Sequence, residues 1–227
     1  LSLCLPGLTG EDVDPIGAGR ANATGARVVV GPGTGLGAGA LVHTRDMWVP
    51  IPGEGGHIDL GPVSERDFAI WPQLEQTFGR MSAETLLCGS GMVRLYRAVA
   101  QADGMIPTLD TPEEVTTAGL DGSNRQATET LDLFATHLGR VAGNLALVFM
   151  ATGGVFLAGG ISARIRPVLH AGGFREAFTA KWPHEAIMHR MATSIVIKED
   201  AALSGIAAFA RAPATFAVRL AGRRWRG

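Results

Sequence analysis

Residues 28–37 read Val28-Val29-Val30-Gly31-Pro32-Gly33-Thr34-Gly35-Leu36-Gly37, a β-branched run that breaks into glycine before extended chain resumes over residues 36–42. β-Branched side chains favour strands, and glycine supplies the conformations a sharp reversal needs. The stretch therefore predicts a strand, a hairpin-like loop and a second strand. A loop this rich in glycine exposes backbone N–H groups and admits close approach by phosphate oxygens, although a purely structural hairpin uses the same residues. Gly33 to Ala38 also satisfies the dinucleotide pattern GxGxxA, but that fingerprint has to open a helix. Here the chain runs on through His43-Thr44-Arg45-Asp46-Met47-Trp48-Val49-Pro50, which is not helical. The Walker loop fails as well, because no Lys-Ser or Lys-Thr follows at its spacing.

Downstream, an extended and proline-interrupted segment over 47–52 ends in Gly53-Glu54-Gly55-Gly56-His57. Glycines on both sides of a carboxylate imply tight backbone approach, and Glu54 with His57 offers the acceptors and donors that a polyhydroxylated ligand requires. A plain turn with solvated side chains fits the same residues. From Ser64 the pattern turns helical. Phe68, Trp71, Leu74, Glu75 and Phe78 recur at three-to-four spacing, with Pro72 kinking or dividing the helix. Ser82 reads as an N-cap for residues 83–87, Gly89-Ser90-Gly91 as an interruption, and residues 92–100 as renewed helix. Glu84 lies just inside that cap, where a helix dipole also favours it. Thr111-Pro112-Glu113-Glu114 combines a cap, a first-turn proline and a capping-box glutamate.

Between Arg125 and Met150, apolar side chains at Leu131, Phe134, Leu138, Val141, Leu145 and Val148 mark one long buried helix, with Gly139 and Gly143 admitting a close neighbour. Residues 155–158 read as a buried strand, Gly159-Gly160 as a sharp turn, and residues 161–169 as a helix whose end Pro167 obscures. That helix would present its N-terminus to whatever lies before the turn, a natural place for ribose or phosphate, though close strand-to-helix packing uses the same glycines. Residues 194–197 read as a last strand, and Asp200 as the cap of a helix over 201–211. Residues 1–27, rich in Gly, Pro and Ala without periodicity, read as an irregular connecting segment.

Composition narrows the partners. The 227 residues are 46% hydrophobic and 18% charged, enough to bury a core. Twenty basic against twenty-one acidic side chains leave a net charge of -1, so no field favours nucleic acid or an anionic membrane. The locally basic run Arg219, Arg223, Arg224, Arg226 reads as a solvated terminus. Cys4 and Cys88 stand far apart without a partner motif, which points away from disulfides and zinc and toward a reducing compartment. The histidines show no HxxxH or HExxH spacing, so no metal site is assigned. The most apolar stretch, 145–161, is broken by Thr152 and four glycines and falls short of the roughly 20 residues a bilayer needs. The chain opens on Leu1 without a basic leader and reads as a start cut short.

Taken in order, VVVGPGTGLG (28–37), PGEGGHID (52–59), GRMSAETLLCGSG (79–91), LGRVAGNLAL (138–147) and VFLAGGI (155–161) resemble the bacterial glucokinase family over about residues 27–211. The resemblance implies an α/β protein of the actin-like ATPase (ribonuclease H-like) sugar-kinase fold, mainly its large domain. By position, Glu54, His57 and Glu84 resemble the family's ligands for glucose hydroxyls. Gly33, Thr34 and Gly35 resemble its second phosphate loop, and Gly159 with Gly160 its adenosine-binding turn. The implied substrates are glucose and ATP with Mg²⁺, the implied reaction phosphoryl transfer to the sugar 6-hydroxyl in glycolysis, and the implied setting a cytoplasmic enzyme, with dimerisation expected from the resemblance alone.

The family's base is an aspartate in an Asn-Asp pair preceding the glycine loop, after an Asp-Ile-Gly-Gly-Thr phosphate loop. Neither motif occurs here, and nothing around Asp12 or Asp14 matches, so no catalytic residue is assigned within the chain. Residues 1–27 are accordingly expected to be a remnant of the interdomain region, 28–198 the large domain, and 199–227 a helix and basic tail that would pack on an absent small domain. A catalytically inactive sugar-binding protein is the alternative. The cysteine-rich zinc motif of repressor-type sugar kinases is missing.

Overall fold

The computed structural model describes residues 1–77 and 79–218. Six strands form one sheet: β1 (Val13–Ile16), β2 (Arg27–Pro32), β3 (Leu36–Thr44), β4 (Met47–Gly53), β5 (Gly154–Leu157) and β6 (Thr193–Val196), in the spatial order β1-β6-β5-β2-β3-β4. β2, β3 and β4 are an antiparallel meander, so the expected hairpin forms, with Gly31 opposite Gly37 and Pro32 opposite Leu36. β5 and β6 then run parallel to β2.

The valine run explains why β2 is central. Val28 and Val30 enter the main core on one face of the sheet, while Val29 joins a second apolar cluster on the other. A strand buried on both faces reads as continuous apolar sequence rather than as alternation. The main face is covered by helices, α1 (Glu65–Ile70), α2 (Ala83–Leu86), α3 (Gly89–Ala102), α4 (Pro112–Leu120) and the long α5 (Arg125–Phe149) among them. The short helices α6 (Gly160–Arg164), α7 (Arg166–His170), α8 (Gly173–Thr179) and α9 (Glu185–Arg190) link β5 to β6. α8 lies directly on α5 where the sequence has Gly139 and Gly143; a methyl group on Gly143 would stand 2.7 Å from the Phe178 carbonyl oxygen, and one on Gly139 would collide with that of Phe174.

Several expectations are corrected. Residues 1–27 are not irregular throughout: Ser2–Gly7 form a 3₁₀ helix, and β1 pairs antiparallel with β6, Val13 opposite Val196. This four-residue strand carries Pro15 and is tolerable because it lies at the edge of the sheet. Phe68 is 61% exposed; α1 stops at Ile70, a 3₁₀ turn follows at Trp71–Gln73, and Asp67, Ile70 and Leu74 face inward instead. Phe78 lies outside the described residues, as does the run Arg219 to Arg226. Gly89-Ser90-Gly91 does not interrupt a helix but is the first turn of α3, because Cys88 acts as its cap, the sulfur accepting from Gly91 N at 3.3 Å. Val148 is 72% exposed on the outer side of the last turn of α5, where Ala146 is the residue buried in the core. Pro167 divides the helix expected over 161–169 into α6 and α7. Asp200 adopts a left-handed conformation and its side chain makes no capping bond.

The last helix, α10 (Ala201–Arg211), folds back over the second face of the sheet and packs on the 3₁₀ helix Ser2–Gly7; a side chain at Gly205 would stand 2.7 Å from Cys4 N.

Candidate functional site

Because β2 and β5 are parallel neighbours, the loops that leave them emerge side by side at the carboxyl end of the sheet, the usual location of ligand crevices in α/β proteins. The loop after β2 is the glycine loop. Gly33 N donates to Gly35 O at 2.8 Å, and Gly33 O accepts from Gly89 N at 2.9 Å, which fixes the loop against the start of α3. After β5, Gly159 takes φ +90°, and a methyl group there would stand 2.6 Å from Pro32 O. Its neighbour Gly160 opens α6 with no atom near its missing side chain.

These turns bound a cleft of about 530 Å³ lined by Gly33, Thr34, Ser90, Thr116, Gly160 and Arg164 among others. Two helices of nine residues or more, α3 and α4, begin at it through Gly89 and Pro112. Gly89 N, Gly91 N and Glu114 N are already bonded within the protein, so it is the helix dipoles and the remaining first-turn and loop amides that make the cleft favourable to anionic oxygen.

Glu54, His57 and Glu84 come together on the other side of Thr34. Glu54 precedes the 3₁₀ turn Gly55–His57, whose Gly56 has no room for a side chain because the Leu36 carbonyl crowds it. Glu84 stands in the first turn of α2, held by a capping box between Ser82 and Thr85. Its Oε2 accepts from Leu36 N at 2.7 Å, and its Oε1 lies 3.9 Å from His57 Nε2. Glu54 Oε2 is 4.0 Å from the same nitrogen. The two carboxylates differ in freedom: Glu84 is 34% exposed and anchored, Glu54 90% exposed and open. A methyl group on Gly35 would meet Glu84 Oε2 at 2.5 Å, so the glycine of the loop makes room for the carboxylate.

His57 and Glu84 are carried on paired strands of chain. Leu60 N donates to Met81 O at 3.0 Å and Ala83 N to Ile58 O at 2.9 Å, with Asp59 opposite Ser82 between them. A cleft of about 350 Å³ opens beside them, lined by His57, Glu84, Arg80 and Arg94, and it shares Thr34 and Ser90 with the first cleft. A larger groove, about 790 Å³, follows the glycine-floored side of the same hairpin and is bordered by Glu54 and Gly159. One side of Thr34 thus presents hydrogen-bonding side chains suited to hydroxyls, and the other presents backbone amides suited to phosphate.

Sequence reasoning misses Ser90 at the junction, because Gly89-Ser90-Gly91 reads as a break, and Arg94 in the sugar-side cleft, because nothing in a helix over 92–100 singles it out; the signal available for Ser90 is Cys88, a residue able to cap. Among the described residues, no group of three or more His, Cys, Asp or Glu side chains is arranged to hold a metal ion. An ion carried in on nucleotide phosphates needs none. No helix among the described residues is long and apolar enough to cross a membrane.

The profile of the glucokinase family matches residues 1–213. A glucokinase of Agrobacterium fabrum is 53% identical over 225 residues, which is 99% of this chain and 66% of that protein. A glucokinase of Sinorhizobium fredii is 56% identical over 216 residues, 95% of this chain and 64% of that protein. The chain therefore spans about two thirds of the length of these relatives. The crystal structure of a glucokinase from an Antarctic psychrotroph superimposes with a TM-score of 0.85 at 31% identity, covering 91% of this chain and 64% of that one. A glucokinase from Balamuthia mandrillaris in complex with glucose gives a TM-score of 0.76 at 19% identity over 92% of this chain and 63% of that one, a likeness of fold.

Proposed function

The chain belongs to the glucokinase family, and from that premise we propose that it binds glucose and ATP and serves transfer of the γ-phosphoryl group to the sugar 6-hydroxyl. The observation that carries this reading is the meeting of two clefts at Thr34, one lined by His57 and Glu84 with Glu54 at 4.0 Å from His57 Nε2, and the other by the glycine turns. A phosphoryl group leaving the second cleft for an acceptor in the first crosses at that loop.

In this reading Glu84, already fixed by Leu36 N, and His57 take hydroxyls of the sugar, and Glu54 turns in from solvent to complete the set. The loop Gly33-Thr34-Gly35 receives the phosphates, with Gly33 N holding the loop closed through Gly35 O, and Gly160 leaves space for the adenosine at the turn that Gly159 packs against Pro32. Mg²⁺ enters as part of the substrate MgATP. The oxygen–phosphorus bond to the β-phosphate breaks as the bond to the sugar oxygen forms, in line, and the 6-hydroxyl proton passes to an aspartate. We place that aspartate in the third of the relatives' length that this chain does not match. Residues 28–198 then act as the large domain and the C-terminal segment after 198 as the element facing the other domain. A homodimer in the cytoplasm completes the proposal.

A coupled assay for glucose 6-phosphate decides. The 227-residue chain is compared with the same chain joined to the unmatched segment of the Agrobacterium fabrum relative. Turnover in the joined protein, reduced about 100-fold or more by Glu84→Ala, is the expected result. A joined protein that hydrolyses or transfers nothing, or whose turnover ignores Glu84→Ala, would overturn the reading.

A further inference from the structure

Three polar side chains outside the lining of the sugar-facing cleft meet between α1 and α5, two of them buried and the third largely so. Asp67 of α1 is 3% exposed, His137 of α5 is 1% and Arg140 of α5 is 16%. Arg140 Nη1 donates to His137 Nδ1 at 3.0 Å, which leaves the imidazole proton on Nε2, 3.4 Å from Asp67 Oδ1 but poorly aligned with it. The same guanidinium is 3.6 Å from Asp67 Oδ2, and the edge of Trp71 closes on the imidazole.

A buried ionic cluster contributes little to stability over apolar residues of the same volume, because desolvation offsets its attraction. What it supplies is direction. Its outward hydrogen bonds fall on one short piece of backbone: Arg140 Nη2 donates to Gly61 O at 2.7 Å, and Asp67 Oδ2 accepts from Val63 N at 2.9 Å and Ser64 N at 3.1 Å. These charge-assisted bonds tie residues 61–64 to α5, the most deeply embedded helix. Immediately upstream, residues 58–60 pair with 81–83, and His57 and Glu84 are the next residue on each strand. The covalent path from Gly61 to His57 is four residues, and the segment before Glu84 is tied to that path by two backbone hydrogen bonds.

We propose that Asp67, His137 and Arg140 form a positioning clamp that sets the spacing of His57 and Glu84, and hence sugar affinity, through Gly61. Its link to sugar rests on the reading of His57 and Glu84 as sugar ligands; the mechanical part does not. None of the three residues is a catalytic residue in this account.

The test compares wild type, Arg140→Met, Arg140→Lys and the double variant Asp67→Asn with Arg140→Met, which removes both charges and so keeps the interior neutral if the single variant fails to fold. Amide hydrogen exchange is read with glucose and ATP affinities by calorimetry. In Arg140→Met, exchange over residues 57–64 and 81–84 should rise about tenfold or more while the amides of α5 around Leu138 stay protected. Glucose affinity should fall about tenfold with ATP affinity unchanged, and Arg140→Lys should restore part of it. Unchanged exchange in those two segments would overturn the proposal, and so would a uniform rise in which glucose and ATP affinities fall together. If the wild type binds ATP but not glucose, the sugar reading fails, and the exchange pattern by itself still decides whether the clamp exists.

Discussion

Gly159 and Gly160 are adjacent and chemically identical, yet the fold asks different things of them. Gly159 holds φ +90° under the Pro32 carbonyl, while Gly160 begins a helix in open space. Gly159→Ala therefore meets both a disfavoured backbone region and a fixed backbone atom and should cost about 2 kcal/mol or more. Gly160→Ala should change stability by no more than about 0.5 kcal/mol, since it only stiffens a helix start. Urea unfolding of the two variants separates these expectations; equal losses would mean that the turn is not held by Pro32. The sequence marks both glycines as a turn but not this asymmetry, which depends on a strand more than a hundred residues earlier. The same limit applies to Glu84. Its place after a cap is legible, but its bond to Leu36 N joins residues 48 apart, and only family resemblance brings it to His57 beforehand.

Elements show which signals are local. α4 and α5 follow from caps and periodicity within their own span, and the β2–β3 hairpin follows from valines and glycines that are contiguous. β1 is invisible for the opposite reason: its partner β6 lies some 180 residues away, and Val13-Asp14-Pro15-Ile16 has no strand character of its own. α5 also carries a polar site that its apolar stripe conceals. Burial pushes the His137 imidazole down to about 4 from its usual 6.5; the nearby Asp67 carboxylate pulls the other way and Arg140 reinforces the shift. With the folded value below the unfolded one, the unfolded chain binds the proton more readily. The stability that neutral His137 contributes is complete above about pH 6.5 and drains as the pH falls toward 4. Between pH 7.5 and pH 5 the loss from this residue should be about 2 kcal/mol. His137→Gln should flatten that part of the pH profile, even if it lowers stability at every pH. A profile that keeps its slope in the variant would assign the acid sensitivity elsewhere.

For the whole molecule, the sheet is the middle layer between unequal cores. The main core carries α5 and its neighbours. The second, smaller one gathers Leu5, Val29, Leu41, Trp48, Phe156 and Phe216 from opposite ends of the chain, under α10. Arg27 stacks over Trp48, its guanidinium carbon 4.6 Å from the ring centroid, and donates to the Leu5 carbonyl, so the first residues are held by a cation as well as by apolar contact. The first residues are thus part of this smaller core, on which α10 packs. Its inward side is built from small residues, Ala201 and Gly205, which let the Ser2–Gly7 turn approach, while Leu203 and Ile206 stand 63% and 61% exposed. Stability should therefore follow the small, inner positions and not the large, outer ones. Leu5→Ala, at 1% exposure, should cost about 2–4 kcal/mol, whereas Leu203→Ala and Ile206→Ala should each cost less than about 0.5 kcal/mol. Chemical denaturation of the three variants tests this. A large loss at Leu203 or Ile206 would mean that another surface covers that side of α10 in solution, and sedimentation of the same variants would then show whether a second copy provides it.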